Sequence, residues 1–262
     1  MQIELADQVH IITGAGRGIG LATAQMVAQS GGTPVLVART ESEITAAADA
    51  LVAAGHKAEP FAADLSDEGQ CAALVKHVVA TYGRVDGLIN NAGGPNVVAN
   101  LVMSKEPDWR SAFDLNVFAV MRLTKLCIRQ MIRAKRGRIV TISSVAGKIG
   151  AAYTASYSAS KGAVDAFMRS VAREVAKVGI TANAVCPWHV DTQRLRDSME
   201  KRGKLFGKTG EAYFAEIAAT NPQNRILDVD EVAATVMFLL SEQARGINGQ
   251  AINVCGGMVM GV

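Results

Sequence analysis

Residues 9–20 read VHIITGAGRGIG. A run rich in β-branched residues gives way to four glycines, Gly14, Gly16, Gly18 and Gly20, and then to apolar residues at helical spacing over 19–29. Glycine at such a point lets the chain turn tightly from strand to helix and opens the first helical amides to a pyrophosphate. Working outward, the same unit repeats. Strands are predicted at 34–37, 87–90, 138–143, 181–186 and 251–254, and helices at 41–54, 67–82, 111–134, 158–177 and 229–240. The alternation also requires a strand at 57–63 (KAEPFAA), where Pro60 removes a ladder donor. This order implies right-handed crossovers and a parallel sheet of about seven strands covered on both faces, an α/β three-layer sandwich formed by one domain, 1–262. In such sheets ligands bind outside the carboxyl ends of the strands, where the strand order reverses. Residues 192–221 break the rhythm: they are polar, carry no strand signal, and read as a substrate lid.

Composition narrows the class. The 262 residues are 49% hydrophobic and 19% charged, which supplies a large core and excludes a disordered chain. With 27 Lys+Arg against 24 Asp+Glu the net charge is +3, which indicates neither a nucleic-acid nor a membrane partner. The longest apolar run, 232–240, falls well short of the about 18 residues of a membrane span. Residues 1–7 (MQIELAD) carry two acids and no basic stretch, unlike a secretory signal. Cys71, Cys127, Cys186 and Cys255 are too dispersed for a disulfide framework or a zinc site, and free thiols suit the cytoplasm. His10, His56, His77 and His189 have no metal partner nearby in sequence, so no metal is expected, and His10 reads as a buried strand histidine. The cations at 129, 133, 135, 136 and 138 read as the positive end of a long helix.

Further motifs follow the later strands. Asn90-Asn91-Ala92-Gly93 ends the fourth, and Leu115-Asn116-Val117 lies in the helix after it. Ser144 follows the fifth strand, with Tyr157-Ser158-Ala159-Ser160-Lys161 thirteen residues on. Pro187, Val190 and Thr192 come after the sixth, and Asn253-Val254-Cys255-Gly256-Gly257 near the end. With the spacing Gly14-x-x-x-Gly18-x-Gly20, this series resembles the short-chain dehydrogenase/reductase family over essentially the whole chain. The resemblance implies a Rossmann-type fold, a dinucleotide cofactor, and a homotetramer or dimer. Trp188 stands where the family usually has glycine, a bulky wall beside the substrate or a side chain packed beneath the lid.

Tyr157 and Lys161, four apart, project from one helix face. A free phenol has a pKa of about 10, and a nearby ammonium is expected to lower it. By resemblance, Tyr157 gives a proton to a substrate carbonyl oxygen, Ser144 hydrogen-bonds that oxygen, Lys161 also holds the nicotinamide ribose, and Asn116 anchors a water leading to Lys161. The cofactor contacts implied are Gly14, Arg17, Gly18, Ile19, Gly20, Arg39, Asp64, Leu65, Asn91, Ala92, Gly93, Tyr157, Lys161, Pro187, Val190 and Thr192. Asp64 reads alternatively as a helix cap. At the end of the second strand Ala38 replaces the acid that NAD enzymes carry, and Arg39 follows. With Arg17 this points to NADP(H), because guanidinium groups grip a 2′-phosphate that a carboxylate would repel. The resulting expectation is NADPH-dependent reduction of a ketone, with the 3-oxoacyl thioester and polyketide ketoreductases as the similar subgroup (INVCGG, 252–257). Oxidation of a secondary alcohol and a non-catalytic dinucleotide sensor are the alternatives. Between 194 and 208 six cations (Arg194, Arg196, Lys201, Arg202, Lys204, Lys208) face two acids, a solvated lid face or a landing place for a phosphorylated carrier.

Overall fold

The computed structural model describes residues 3–94 and 97–260, with nothing described for the side chain of Leu205. In chain order the elements are β1 (Val9–Thr13), α1 (Gly18–Gln29), β2 (Thr33–Ala38), α2 (Glu41–Ala53), β3 (Glu59–Ala62), α3 (Glu68–Tyr82) and β4 (Gly87–Asn90). Then come α4 (Glu106–Phe113), a π-helical turn (Asp114–Phe118), α5 (Ala119–Ala134), β5 (Gly137–Ile142), α6 (Ala146–Ile149), α7 (Ala155–Val175) and β6 (Ile180–Pro187). The last elements are α8 (Gln193–Leu205), α9 (Gly210–Thr220), α10 (Val229–Leu240) and β7 (Ala251–Val254).

All seven strands are parallel, in the order β3-β2-β1-β4-β5-β6-β7. Central strands are apolar on both faces because helices cover both: β1, β4, β5 and β6 are buried throughout. Pro60 is accommodated because β3 is an edge strand, paired on one side only. One core packs α3, α5 and α7 on the sheet, with Leu74, Leu123 and Met168 fully buried. The other packs α1, α2 and α10 on the opposite face. The strand order reverses between β1 and β4, so the crevice above those two strands is where a ligand belongs.

Three sequence expectations change here. The single helix expected over 111–134 is interrupted by the π-helical turn at Asp114–Phe118, which swings Asn116 inward to 1% exposure. The segment 192–221 is a pair of helices, α8 capped by Thr192 and α9 capped by Thr209 through side-chain oxygens. Arg138 does not end a helix. It lies buried on β5, pairing with Glu242 at 2.9 Å. His10 is fully buried on β1, as its strand position implied.

Candidate active site

The turn after β1 is built by close approach. Gly14 and Gly18 take left-handed φ of 64° and 58°. A Cβ on Gly20 would press into the Gly14 carbonyl oxygen and stand 2.5 Å from Asn91 Nδ2, so only glycine fits. Arg17, before α1, supplies no side-chain cap, which leaves the first amides around Gly18 and Ile19 for another acceptor. Asn91 staples this turn to β4: Nδ2 donates to the carbonyls of Thr13 (2.8 Å) and Gly14 (3.1 Å), while the amides of Asn91 and Ala92 donate to Thr13 Oγ1. Across the crevice Thr192 packs on Gly18, with its Cγ2 3.2 Å from where a Cβ would be. An uncapped helix N-terminus above a glycine cradle fits a dinucleotide pyrophosphate.

Arg17 and Arg39 are exposed at the rim, and among the described residues neither closes an ion pair. Asp64 faces Arg39. Ser66 binds the Asp64 carboxylate through its amide and hydroxyl, and these bonds hold its pKa below the usual range. Asp64 is not the cap of α3. That cap is Asp67, which accepts from the Gln70 amide at 2.9 Å. Leu65 is buried beside Asp64.

On the reactive side, Tyr157 and Lys161 share a face of α7, with Nζ 5.7 Å from the ring centroid. Lys161 is buried and donates to the Ile142 carbonyl at 2.8 Å. Burial brings its pKa down to about 8, the Arg194 cation adding to the fall. The expected lowering of the Tyr157 pKa is not what the site produces. Burial raises it, and this outweighs the opposing pull of Arg194 and of the hydrogen bond from Ser144. Ser144 Oγ accepts the Ala146 amide at 3.2 Å, which leaves its proton for the phenol or a ligand. Asn116 Oδ1 accepts the Gly94 amide at 2.7 Å and Nδ2 donates to Ser160 Oγ at 2.9 Å. The Ser160 hydroxyl in turn donates to the Tyr157 carbonyl oxygen at 2.7 Å.

The remaining predicted contacts line the β6 side. Pro187 is buried and accepts the Val145 amide, Val190 bridges to Leu227, and Thr192 starts α8. Trp188 packs against the apolar clusters on either side of β6 and against His189, ring centroids 4.6 Å apart. Sequence reading missed Ser160 as the link from Asn116 to the Tyr157 backbone. It also counted Arg194 only as one lid cation, whereas its guanidinium bonds the carbonyls of Gly93 and Gly94.

A model of the short chain dehydrogenase family matches residues 8–203. This chain is a short-chain dehydrogenase/reductase. It is similar to a monensin polyketide synthase ketoacyl reductase of Streptomyces virginiae, 39% identical over 256 residues that cover 96% of this chain and 97% of the relative. A 3-oxoacyl-[acyl-carrier-protein] reductase of Escherichia coli is 34% identical, covering 97% and 98%. Among solved structures, a variant of actinorhodin polyketide ketoreductase with NADPH superposes with a TM-score of 0.92 at 36% identity, covering 95% of this chain and 96% of that one. Levodione reductase gives a TM-score of 0.93 at 29% identity, covering 97% and 98%. Among the described residues of this short-chain dehydrogenase, no helix is long and apolar enough to cross a membrane, and no group of His, Cys, Asp and Glu could hold a metal.

Proposed function

We propose that this chain reduces a ketone to a secondary alcohol with NADPH, on a substrate of the 3-oxoacyl or polyketide kind that its relatives' names describe. The observation that carries the reading is half-buried Tyr157 beside buried Lys161 on one face of α7, with the Ser144 hydroxyl bonded to the phenol.

NADPH, when bound, supplies the hydride that the carbonyl carbon receives. The rest is the work of side chains. Ser144 fixes the carbonyl oxygen with the proton that its bond to the Ala146 amide leaves free. Tyr157 holds its proton at neutral pH because its pKa is raised, so it starts the reaction as the donor to that oxygen. As the phenol gives up its proton, Lys161 lies where it stabilises the phenolate. Lys161, titrating at about 8, is able both to carry that charge and to return a proton. Asn116 holds the Gly94 strap and, through Ser160, the Tyr157 backbone, keeping the donor at a fixed height.

The cofactor contacts proposed are the sixteen residues of the sequence reading, with Arg39 and Arg17 on the 2′-phosphate and the glycine turn on the pyrophosphate. The exposure of Arg17 and Arg39 without ion-pair partners among the described residues supports this. We read 1–262 as one domain with the lid at 192–221, and the chain as a cytoplasmic homotetramer. Four free, buried cysteines, and exposed Phe118 at the end of the π-helical turn with exposed Ile132 on α5, support those last two readings.

The test is NADPH and NADH consumption across a panel of ketones. Turnover with NADPH at a kcat/KM well above that with NADH is expected. Equal values for the two cofactors overturn the NADP assignment, and cofactor binding without turnover of any ketone would favour a sensor.

A further inference from the structure

Arg194 sits in the first turn of α8, yet its guanidinium does not face the lid's acids. Nη1 donates to the Gly93 carbonyl at 3.2 Å and Nη2 to the Gly94 carbonyl. Those two carbonyls belong to the strap after β4, whose Gly94 amide is held by Asn116. The point that a Cβ on Gly93 would occupy lies 3.5 Å from both Arg194 Nη1 and Asn116 Oδ1. A lid cation is therefore seated beside the π-helical turn, on the reactive side of the crevice. Thr192, two residues earlier, packs instead on the glycine turn.

The other charges of the lid behave differently. Arg196 pairs with Asp191, Lys204 with Glu200 and Lys208 with Glu216. With half of its six cations matched to acids, the lid offers less than the sequence implied for a phosphorylated carrier. Among the described residues Arg194 has no carboxylate in ion-pair range. Two of its five N–H donors go to neutral carbonyls, which leaves part of a planar fork uncommitted. It shares the site with the Lys161 ammonium, and it is the foremost cation acting on both Tyr157 and Lys161. The buried Asp165 acts on Lys161 but is not among the acids within ion-pair range of Arg194, which leaves the Arg194 charge open at the crevice, and a planar anion matches a guanidinium fork best.

Resting on the ketone-reductase reading, we infer that Arg194 is a specificity residue that receives the carboxylate of an oxo-acid substrate and so orients its ketone towards Tyr157 and Ser144. The substrate class is then narrower than the relatives' names suggest: a ketone bearing a free carboxylate a few bonds from the carbonyl, in place of a 3-oxoacyl thioester. The recognising group is thus carried by the first turn of α8 and held on the β4 strap.

The experiment compares 4-oxopentanoate and 5-oxohexanoate with their methyl esters at saturating NADPH, in the wild type, Arg194→Gln and Arg194→Lys. Charge-assisted bonds of this kind are worth about ten-fold or more. The wild type is expected to favour the acids over the esters at least ten-fold in kcat/KM. That ratio should collapse towards one in Arg194→Gln, mainly through KM, and return in part in Arg194→Lys. A wild-type ratio near one overturns the inference, as does an equal fall for acid and ester in Arg194→Gln. A rise in the NADPH dissociation constant that tracks the loss overturns it too, since Arg194 would then be a cofactor contact. Binding of 4-oxopentanoate to the NADPH complex, read by quenching of the cofactor's fluorescence, separates the two readings. Arg194-dependent binding without turnover keeps the anion site and sinks the reductase, while turnover of the esters without acid preference does the reverse.

Discussion

Below the crevice, Thr13, Asn91, Asn116 and Ser160 tie β1, β4, the π-helical turn and α7 together through hydrogen bonds, three of them from side chains no more than 1% exposed. Above it, the lid carries the exposed ion pairs Lys204–Glu200, within α8, and Lys208–Glu216, from the turn after α8 to α9, with side chains 43–72% exposed. Leaving a buried polar group unpaired costs about 1–3 kcal/mol, whereas an exposed ion pair contributes about 0.2–1 kcal/mol. The floor is therefore held by bonds that are costly to leave unmade, whereas the exposed pairs of the roof contribute little each. Low local stability is what a segment that admits substrate requires.

The comparison breaks most visibly at Tyr157. Tyr157→Phe removes the proton donor and should cut kcat about 10²–10⁴-fold while the NADPH dissociation constant, measured by fluorescence titration, stays within two-fold. A variant that keeps most of its kcat would show that the floor does not carry the chemistry. Next in size is a pH effect at the base of β1. His10 is fully buried, and neither ring nitrogen has a hydrogen-bond partner. Burial lowers its pKa from 6.5 to about 4. The unfolded chain takes up this proton near pH 6.5 and the folded one only near 4, so stability should fall by about 3 kcal/mol as pH drops through that window. Urea unfolding at pH 7 and pH 4 should show this loss, and His10→Leu should reduce it.

Asn116→Ala sharpens the contrast further. It leaves the Gly94 amide and Ser160 short of partners, for an expected loss of about 1–3 kcal/mol and a lower kcat at unchanged pH optimum. The smallest effect belongs to the roof. Lys208→Ala should cost less than about 1 kcal/mol, a melting shift of about 2–4 °C at most, with any kinetic change confined to KM. If Lys208→Ala proved as costly as Asn116→Ala, the two regions would not differ in kind.

Much of this was legible in the sequence, for identifiable reasons. The strands announced themselves because parallel strands buried on both faces must be apolar and β-branched, as Ile11, Ile12, Ile139 and Val140 are. Tyr157 and Lys161 were readable because a helix turns their four-residue spacing into a shared face. The break at 114–118 was hidden because a π-helical turn keeps apolar residues near helical spacing on both sides. The α8 helix was hidden by its charge, although Leu195 and Met199, four apart, marked its inner face. The sign of the Tyr157 shift was illegible because it comes from atoms packed around the phenol, not from its neighbours in sequence. Arg194 escaped notice because its partners lie a hundred residues away.

The sheet order also governs how the molecule is made. β1 is the first strand to be synthesised, yet it sits between β2 and β4, and the bond from the Asn91 amide to Thr13 spans 78 residues. At about 5–20 residues per second, β4 leaves the ribosome on the order of 4–15 s after β1. For that interval one edge of a strand that ends fully buried has no mate, and long-range parallel pairing is slow to supply one. The crevice is finished only when Asn91 closes the gap, so the last bond of this nascent half is also the one that shapes its glycine turn.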